Sequence, residues 1–358
     1  MVTHVLLTGA SGLVGVEVLS QLVGRGDAVS AVVHRNSTFV ANDGRAVPGA
    51  AVVHGNVRAP SFGLSDDERA ALGMSVTAIV HCAATTDFGA RQTEYDELNV
   101  AGTEHAIALA REWTVPLIYV STAYVCGTRN GTILESDLDT GQTFGNAYEA
   151  SKFRAEQLVG AAAAAGLRTC IVRPGIVTGR ATDGAIREHK NLYTVVKLIV
   201  EGKLRSLPGR YDATLSLVPV DYVADVIVGA VVDLDRAAGK TFHAAGNETI
   251  SLREISDVLA EYPSFEVAKY VPPSTFSVDN LDRNEREYYR RIGVLYESYF
   301  DRRPSFDTTN TRELLGAPPP ATGKDYLRTL LDHCLDTGYL GIPLPSIDDV
   351  LRRIGATT

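Results

Sequence analysis

The chain has 358 residues, 45% of them hydrophobic and 22% charged, and a formal net charge of −9. That length suits about two domains, the composition supports a large packed core, and the negative balance argues against a broad nucleic-acid or anionic-membrane surface. Four dispersed cysteines without a CxxC pair and eight histidines without HxxxH or HxH spacing argue against disulfides and a metal site.

Residues 3–7 read as a first strand, which leaves no room for a signal peptide. No run approaches the ~18 apolar residues of a membrane span, so a cytoplasmic protein is expected. A helix follows over 13–25, with Val14, Val18 and Leu22 on one face. Further strands are predicted at 28–34, 51–54 and 78–82, a helix at 99–112, a strand at 117–121, a helix at 148–165 and a strand at 169–172. Strands this apolar, alternating with helices, predict an α/β class protein with a doubly wound parallel-sheet Rossmann domain. Past Pro174 come a loop at 179–184, a helix at 191–201, a turn at 207–209, and a helix at 218–232 capped by Asp221. A strand at 241–245 is expected to return to the sheet. Beyond 251 the pattern is helical and irregular, broken by Pro272-Pro273 and by prolines 318–320. The expected division is a nucleotide-binding domain of 1–180 with about 216–249, and a smaller, mainly helical substrate domain of about 181–215 and 250–358.

Between the first strand and first helix stands Thr8-Gly9-Ala10-Ser11-Gly12-Leu13-Val14-Gly15. Gly9 suits a tight turn, Gly12 a close approach of pyrophosphate to backbone N–H groups, and Gly15 close packing of helix on strand. Thr8, Ser11, Leu13 and Val14 belong to the same cofactor loop. The spacing is GxxGxxG, in the strand–turn–helix setting that dinucleotide binding requires. At the end of the second strand, where an acidic residue would bind the ribose hydroxyls of NAD, the chain has His34-Arg35-Asn36. A guanidinium there pairs with a 2′-phosphate, so NADPH is expected over NADH. Asn56 and Val57, after the third strand, are candidates for the adenine, with a plain turn as the alternative for Asn56.

Tyr148 and Lys152 lie four apart at a helix start and so share a face. The lysine is expected to stabilise the phenolate, lowering the tyrosine from its usual ~10 and fitting it to exchange a proton with a developing alkoxide. Thr122, at the end of the preceding strand, is the expected second donor to the same oxygen.

These motifs carry a resemblance. TGASGLVG, HCAA (81–84), NVAGT (99–103), STAYVCG (121–127), YEASK (148–152) and RPGIVTG (173–179) resemble the extended short-chain dehydrogenase/reductases over roughly residues 3–250. The resemblance implies Thr122, Tyr148 and Lys152 as catalytic, with Lys152 also touching the cofactor ribose. It places Ala83 and Ala84 beside the cofactor, and Pro174, Gly175, Ile176 and Val177 near the nicotinamide. Cys126 and Asn56 depart from the commoner tyrosine and aspartate. HCAATTDF, the acidic segment with Glu135 and Asp137, and VPVDYVAD (218–225) are most similar to thioester reductase domains and fatty acyl-CoA reductases. That implies an NADPH-dependent reductase of an acyl thioester or derived aldehyde, with an acyl carrier protein as a possible partner. A ketone or aldehyde reductase, a cofactor-recycling epimerase or dehydratase, and a redox-sensing regulator are the alternatives; the intact Tyr148 and Lys152 argue against the last.

Over 283–303, Tyr288, Tyr289, Ile292, Leu295, Tyr296, Tyr299 and Phe300 fall at helical spacing, interleaved with Arg283, Arg286, Arg290, Arg291, Arg302 and Arg303. An amphipathic core helix is one reading. The other is an acyl-pocket wall, with the arginines meeting a phosphopantetheine or an acidic carrier.

Overall fold

The structure, a computed structural model, describes residues 3–341. Seven short strands form its main sheet: β1 (His4–Thr8), β2 (Ala28–Val33), β3 (Ala51–His54), β4 (Ala78–His81), β5 (Leu117–Val120), β6 (Thr169–Pro174) and β7 (Thr241–Ala244). They are parallel throughout, in the order β3-β2-β1-β4-β5-β6-β7. The segment expected to return to the sheet does so as β7, beside β6. All of β4 and β5 is buried, while β3 at the edge is largely exposed. Unbroken apolar runs in the centre require cover on both faces. Alternation along β1 divides that burden: Val5 and Leu7 pack under α1 (Leu13–Gly24), and Leu6 packs on the opposite face against α2 (Gly102–Trp113). A third helix, α3 (Ala147–Ala164), joins α2, and α4 (Val220–Val232) joins α1. The chain order reverses between β1 and β4, so their carboxyl ends open the crevice where such sheets bind ligands.

Three local features differ from the sequence expectations. Asp221 does not cap α4: Pro219 occupies the N-cap position without a side-chain hydrogen bond, and the Asp221 carboxylate accepts the Ala181 N–H at 3.1 Å. A short strand, Leu217–Pro219, precedes the helix and pairs with Ile176–Thr178, so extended backbone already delivers the chain to α4. The first residues of the helix expected over 99–112 belong instead to a π-helical turn, Tyr95–Ala101, and α2 begins at Gly102.

A third apolar cluster draws on helices Leu192–Val200, Leu252–Leu259 and Lys324–Asp336, together with Tyr124. The chain over 283–300 is helical with changing pitch: Arg283–Tyr288 is α, Tyr289–Gly293 π and Glu297–Phe300 3-10. Immediately after it, Pro304–Phe306 pairs with Gly131–Ile133, which brings this segment beside the carboxyl edge of the main sheet. The part of the expected substrate domain at 342–358 lies outside the described residues.

Candidate active site

At the carboxyl end of β1 the glycines are imposed by contact. Gly9 adopts φ +73°, and a Cβ there would sit 2.7 Å from the Ala83 nitrogen. A Cβ on Gly15 would overlap the Gly9 carbonyl oxygen. Gly12 is the N-cap of α1, and no side chain caps the helix. The first-turn N–H groups of α1 are thereby left for an anion. Glycine cradle, uncapped helix and adjoining cavity together fit a dinucleotide pyrophosphate.

The other expected cofactor residues divide. Leu13, Val14, Ala84, Gly175, Ile176 and Val177 line the same cavity as the glycines. Thr8 is fully buried and faces inward, its hydroxyl bonded to His81 Nδ1 (2.9 Å) and to the Ala83 N–H (3.2 Å). It ties β1 to the chain leaving β4. Ser11 gives its carbonyl to Arg187 Nη2 at 2.6 Å, which draws the loop after β6 over the glycine turn. Pro174 accepts Thr122 Oγ1 at 3.4 Å. His34, Arg35 and Asn36 are exposed just past the end of β2, with Asn36 Oδ1 occupied by the Thr38 N–H. Asn56 Oδ1 likewise accepts within its own turn, from the Arg58 N–H, and Val57 is buried against the second face of the sheet.

Thr122 caps the short turn Ala123–Cys126 after β5, and Tyr148 opens α3 behind the N-cap Asn146. Both line the cavity. Burial raises the Tyr148 phenol above its usual range; the neighbouring Thr122 hydroxyl opposes this and Glu149 adds to it. Lys152 is 2% exposed beneath them, its Nζ donating to the Val120 carbonyl at 2.8 Å and lying 4.3 Å from the Tyr119 ring centre. Burial pushes the lysine down to about 7. The expected lowering of Tyr148 by Lys152 is therefore not what this arrangement gives. Desolvation governs both groups, and the ammonium is turned toward β5.

The cavity, of about 300 Å3, runs from the glycine loop past Thr122 and Tyr148 to Tyr296, Tyr299 and Phe300. Phe88 bridges the two ends, its ring 5.6 Å from Tyr148, 5.2 Å from Tyr296 and 5.8 Å from Tyr299. The aromatic stripe thus splits between its two readings. Tyr296, Tyr299 and Phe300 wall the cavity, whereas Tyr289 is buried with its hydroxyl on Glu297, and Tyr288 and Ile292 border a separate charged depression. The arginines split too. Arg286 holds three backbone carbonyls, Arg303 pairs with Asp212, and Arg283, Arg290 and Arg291 are exposed. Arg302 is corrected outright: it is 3% exposed and paired with Glu149, out of reach of any carrier.

Several site-forming residues were not singled out from sequence. Asn99, in the π turn, accepts the Thr85 N–H (2.8 Å) and donates to Ser151 Oγ (2.9 Å), while that hydroxyl donates to the Tyr148 carbonyl (2.7 Å). The start of α3 is thereby tied to the loop carrying Phe88. Glu135, from the noted acidic segment, is buried and accepts the N–H groups of His243, Asn310 and Thr311, a structural role. Cys82 lines the cavity, and all four cysteines are free.

Residues 7–227 match the NAD-binding family described as Male sterility protein. Among curated proteins, the chain is 31% identical over 254 residues to a hybrid PKS-NRPS synthetase of Thermothelomyces thermophilus, covering 64% of this chain and 6% of that one. It is 26% identical to the L-2-aminoadipate reductase large subunit of Eremothecium gossypii, covering 98% of this chain and 27% of that one. The chain therefore spans only a minor part of these relatives. Among solved structures, the terminal R domain of the myxalamid PKS-NRPS pathway superposes with a TM-score of 0.79 at 24% identity, over 96% of this chain and 93% of that one. With the family match covering more than half its length, the chain belongs to the NAD-binding Male sterility protein family of extended short-chain dehydrogenase/reductases, and is a nicotinamide-dependent oxidoreductase.

Proposed function

We propose that this protein uses NADPH to reduce an acyl group held as a thioester on a carrier, releasing an aldehyde that a second NADPH can take to the alcohol. The observation that carries the reading is the single cavity joining glycine cradle, Thr122–Tyr148 donors and aromatic wall. Names of relatives that include PKS-NRPS synthetases and an aminoadipate reductase support a carrier-bound substrate. In this reading the cluster of helices after 181 forms the substrate domain, the protein works in the cytoplasm, and exposed Arg283 and Arg290, with Arg291 shared with Glu287, are basic groups that face an acidic carrier.

When bound, the nicotinamide supplies the hydride. The chain's own residues do the rest. Gly9, Gly12 and the N-terminus of α1 hold the pyrophosphate, and Arg35 beyond β2 pairs with the 2′-phosphate. Thr122 and Tyr148 direct two hydroxyls at the substrate carbonyl oxygen, stabilising the negative charge that develops there. For a thioester, that tetrahedral species collapses with release of the thiol. For an aldehyde, Tyr148 delivers its proton to the alkoxide, and Lys152 serves the phenolate left behind once its ammonium turns from the Val120 carbonyl toward it. The two reductions consume one NADPH and one proton each.

The test offers acyl-CoA and acyl-carrier thioesters beside the matching aldehydes and ketones, following NADPH oxidation and thiol release together. Thiol release coupled to NADPH loss is expected. Turnover of aldehydes or ketones with every thioester inert would assign the protein to simple carbonyl reduction. Retention of tightly bound nicotinamide without net NADPH consumption would point to an epimerase or dehydratase.

A further inference from the structure

Tyr148 sits on the first turn of α3, and the residue beside it, Glu149, is fully buried. A carboxylate without water needs a cation, and the one it has comes from 153 positions further along the chain. Arg302 Nη2 donates to Glu149 Oε1 at 2.6 Å and Nη1 to Oε2 at 3.3 Å. The same guanidinium donates to the Gly127 carbonyl at 2.7 Å, just beyond the Thr122 turn. Its plane lies 4.0 Å from the Tyr299 ring centre and 4.9 Å from that of Tyr124, both of which line the cavity. Glu149 also accepts the Gly145 N–H at 2.9 Å, and a Cβ on Gly145 would overlap Ser298. One planar cation thus touches the start of the donor's helix, the turn that carries Thr122, and the aromatic wall.

We propose that the buried Glu149–Arg302 pair is a positioning device, which sets Tyr148 against Thr122 and couples that placement to the aromatic wall at the acyl end of the cavity. The inference rests on Tyr148 being the proton donor, as proposed above. Arginine suits the task because its rigid fork holds a carboxylate bidentately while its face stacks on rings; a lysine ammonium does neither. The charged and titratable groups around the pair and the phenol are Lys152 on α3, Tyr95 on the π turn, Tyr124 and Cys126 beside Thr122, and Tyr299.

Two full-length variants test it. Arg302→Lys keeps the charge without the fork, and the double variant Glu149→Gln/Arg302→Met removes both charges, which leaves no unpaired buried ion to unfold the protein. Each is compared with wild type in NADPH affinity by fluorescence, in kcat on the best-turned-over compound of the aldehyde and thioester panel, and in amide hydrogen exchange over 145–152. The expected result is NADPH affinity within about twofold, faster exchange over 145–152, and kcat lowered on the order of a hundredfold, the usual consequence of a displacement of about 1 Å in a catalytic group. Unchanged exchange over 145–152, or kcat within about twofold of wild type in both variants, overturns the proposal. A fall in melting temperature with kcat intact has the same meaning, since the pair would then serve the fold alone. Failure of the donor assignment shows separately, as a Tyr148→Phe variant with wild-type kcat.

Discussion

Lys152 is a charge the folded chain holds against its own interest, and replacing it should make the cofactor-free protein more stable. Its ammonium is 2% exposed, and burial pushes it from an ordinary 10.5 down to about 7. Each pH unit between those values corresponds to about 1.4 kcal/mol, so keeping the lysine protonated in the fold costs on the order of 5 kcal/mol. The sign follows from linkage. Between about pH 7 and 10.5 the unfolded chain binds the proton and the folded chain does not, so stability rises with pH across that window. Below pH 7 both states are protonated and the penalty is present in full. Lys152→Met removes the penalty but leaves the Val120 carbonyl without its donor, which costs about 1–3 kcal/mol. The net expectation at pH 6.5 is a gain of about 2–4 kcal/mol, shrinking to nothing or reversing by pH 9.5. Urea denaturation of both proteins without cofactor, at the two pH values, measures it. Other titrating groups cancel in the difference, apart from neighbouring His81, which Lys152 helps to keep neutral. A variant less stable than wild type at pH 6.5, or a gain independent of pH, would refute this reasoning. The same variant should lose activity, because the charge that burial disfavours is the one that must turn from the Val120 carbonyl to the phenolate.

Tyr148→Phe keeps the ring against Phe88 and should bind NADPH normally while kcat falls by about 10²–10⁴, the usual range for a lost general acid; steady-state assays beside cofactor titration check both halves. Arg35→Ala should weaken NADPH by roughly ten- to a hundredfold, about 1.5–3 kcal/mol, and leave NADH nearly unchanged. Equal losses for the two cofactors would show that Arg35 does not read the phosphate. Gly15→Ala forces a methyl into the Gly9 carbonyl and should lower stability by about 1–3 kcal/mol or more while abolishing cofactor binding; a melting curve and a binding titration decide it. For free enzyme, kcat/KM for NADPH should fall as pH rises through about 7, because Lys152 loses its proton there, and that limb should vanish in Lys152→Met.

What the sequence makes legible is what short-range rules write into it. The doubly wound sheet could be read because β1, β4 and β5 are continuous apolar runs and α1 follows a glycine turn, each a pattern complete within its own short stretch of chain. Tyr148 and Lys152 were visible for the same reason: four positions on one helix is a local relation. Spacing could not say where the ammonium points. Lys152 turns to the Val120 carbonyl and the Tyr119 ring because β5 lies beneath α3, a tertiary fact. The arginines of 283–303 make the point more sharply. By sequence they are one basic set on one helical stretch, and a uniform role is the natural reading. The fold sorts them by what arrives opposite. Pairing of Pro304–Phe306 with Gly131–Ile133 pulls Arg302 inward onto Glu149, while Arg290 and Arg291, on the π turn, stay in solvent. An outward arginine contributes only a screened charge to any carrier. A buried one holds a carboxylate beside the proposed proton donor, where its removal is strongly felt. The residue that departs furthest from its sequence neighbours in environment is thus the one with most leverage on the chemistry, and what reveals it is a contact across 153 positions.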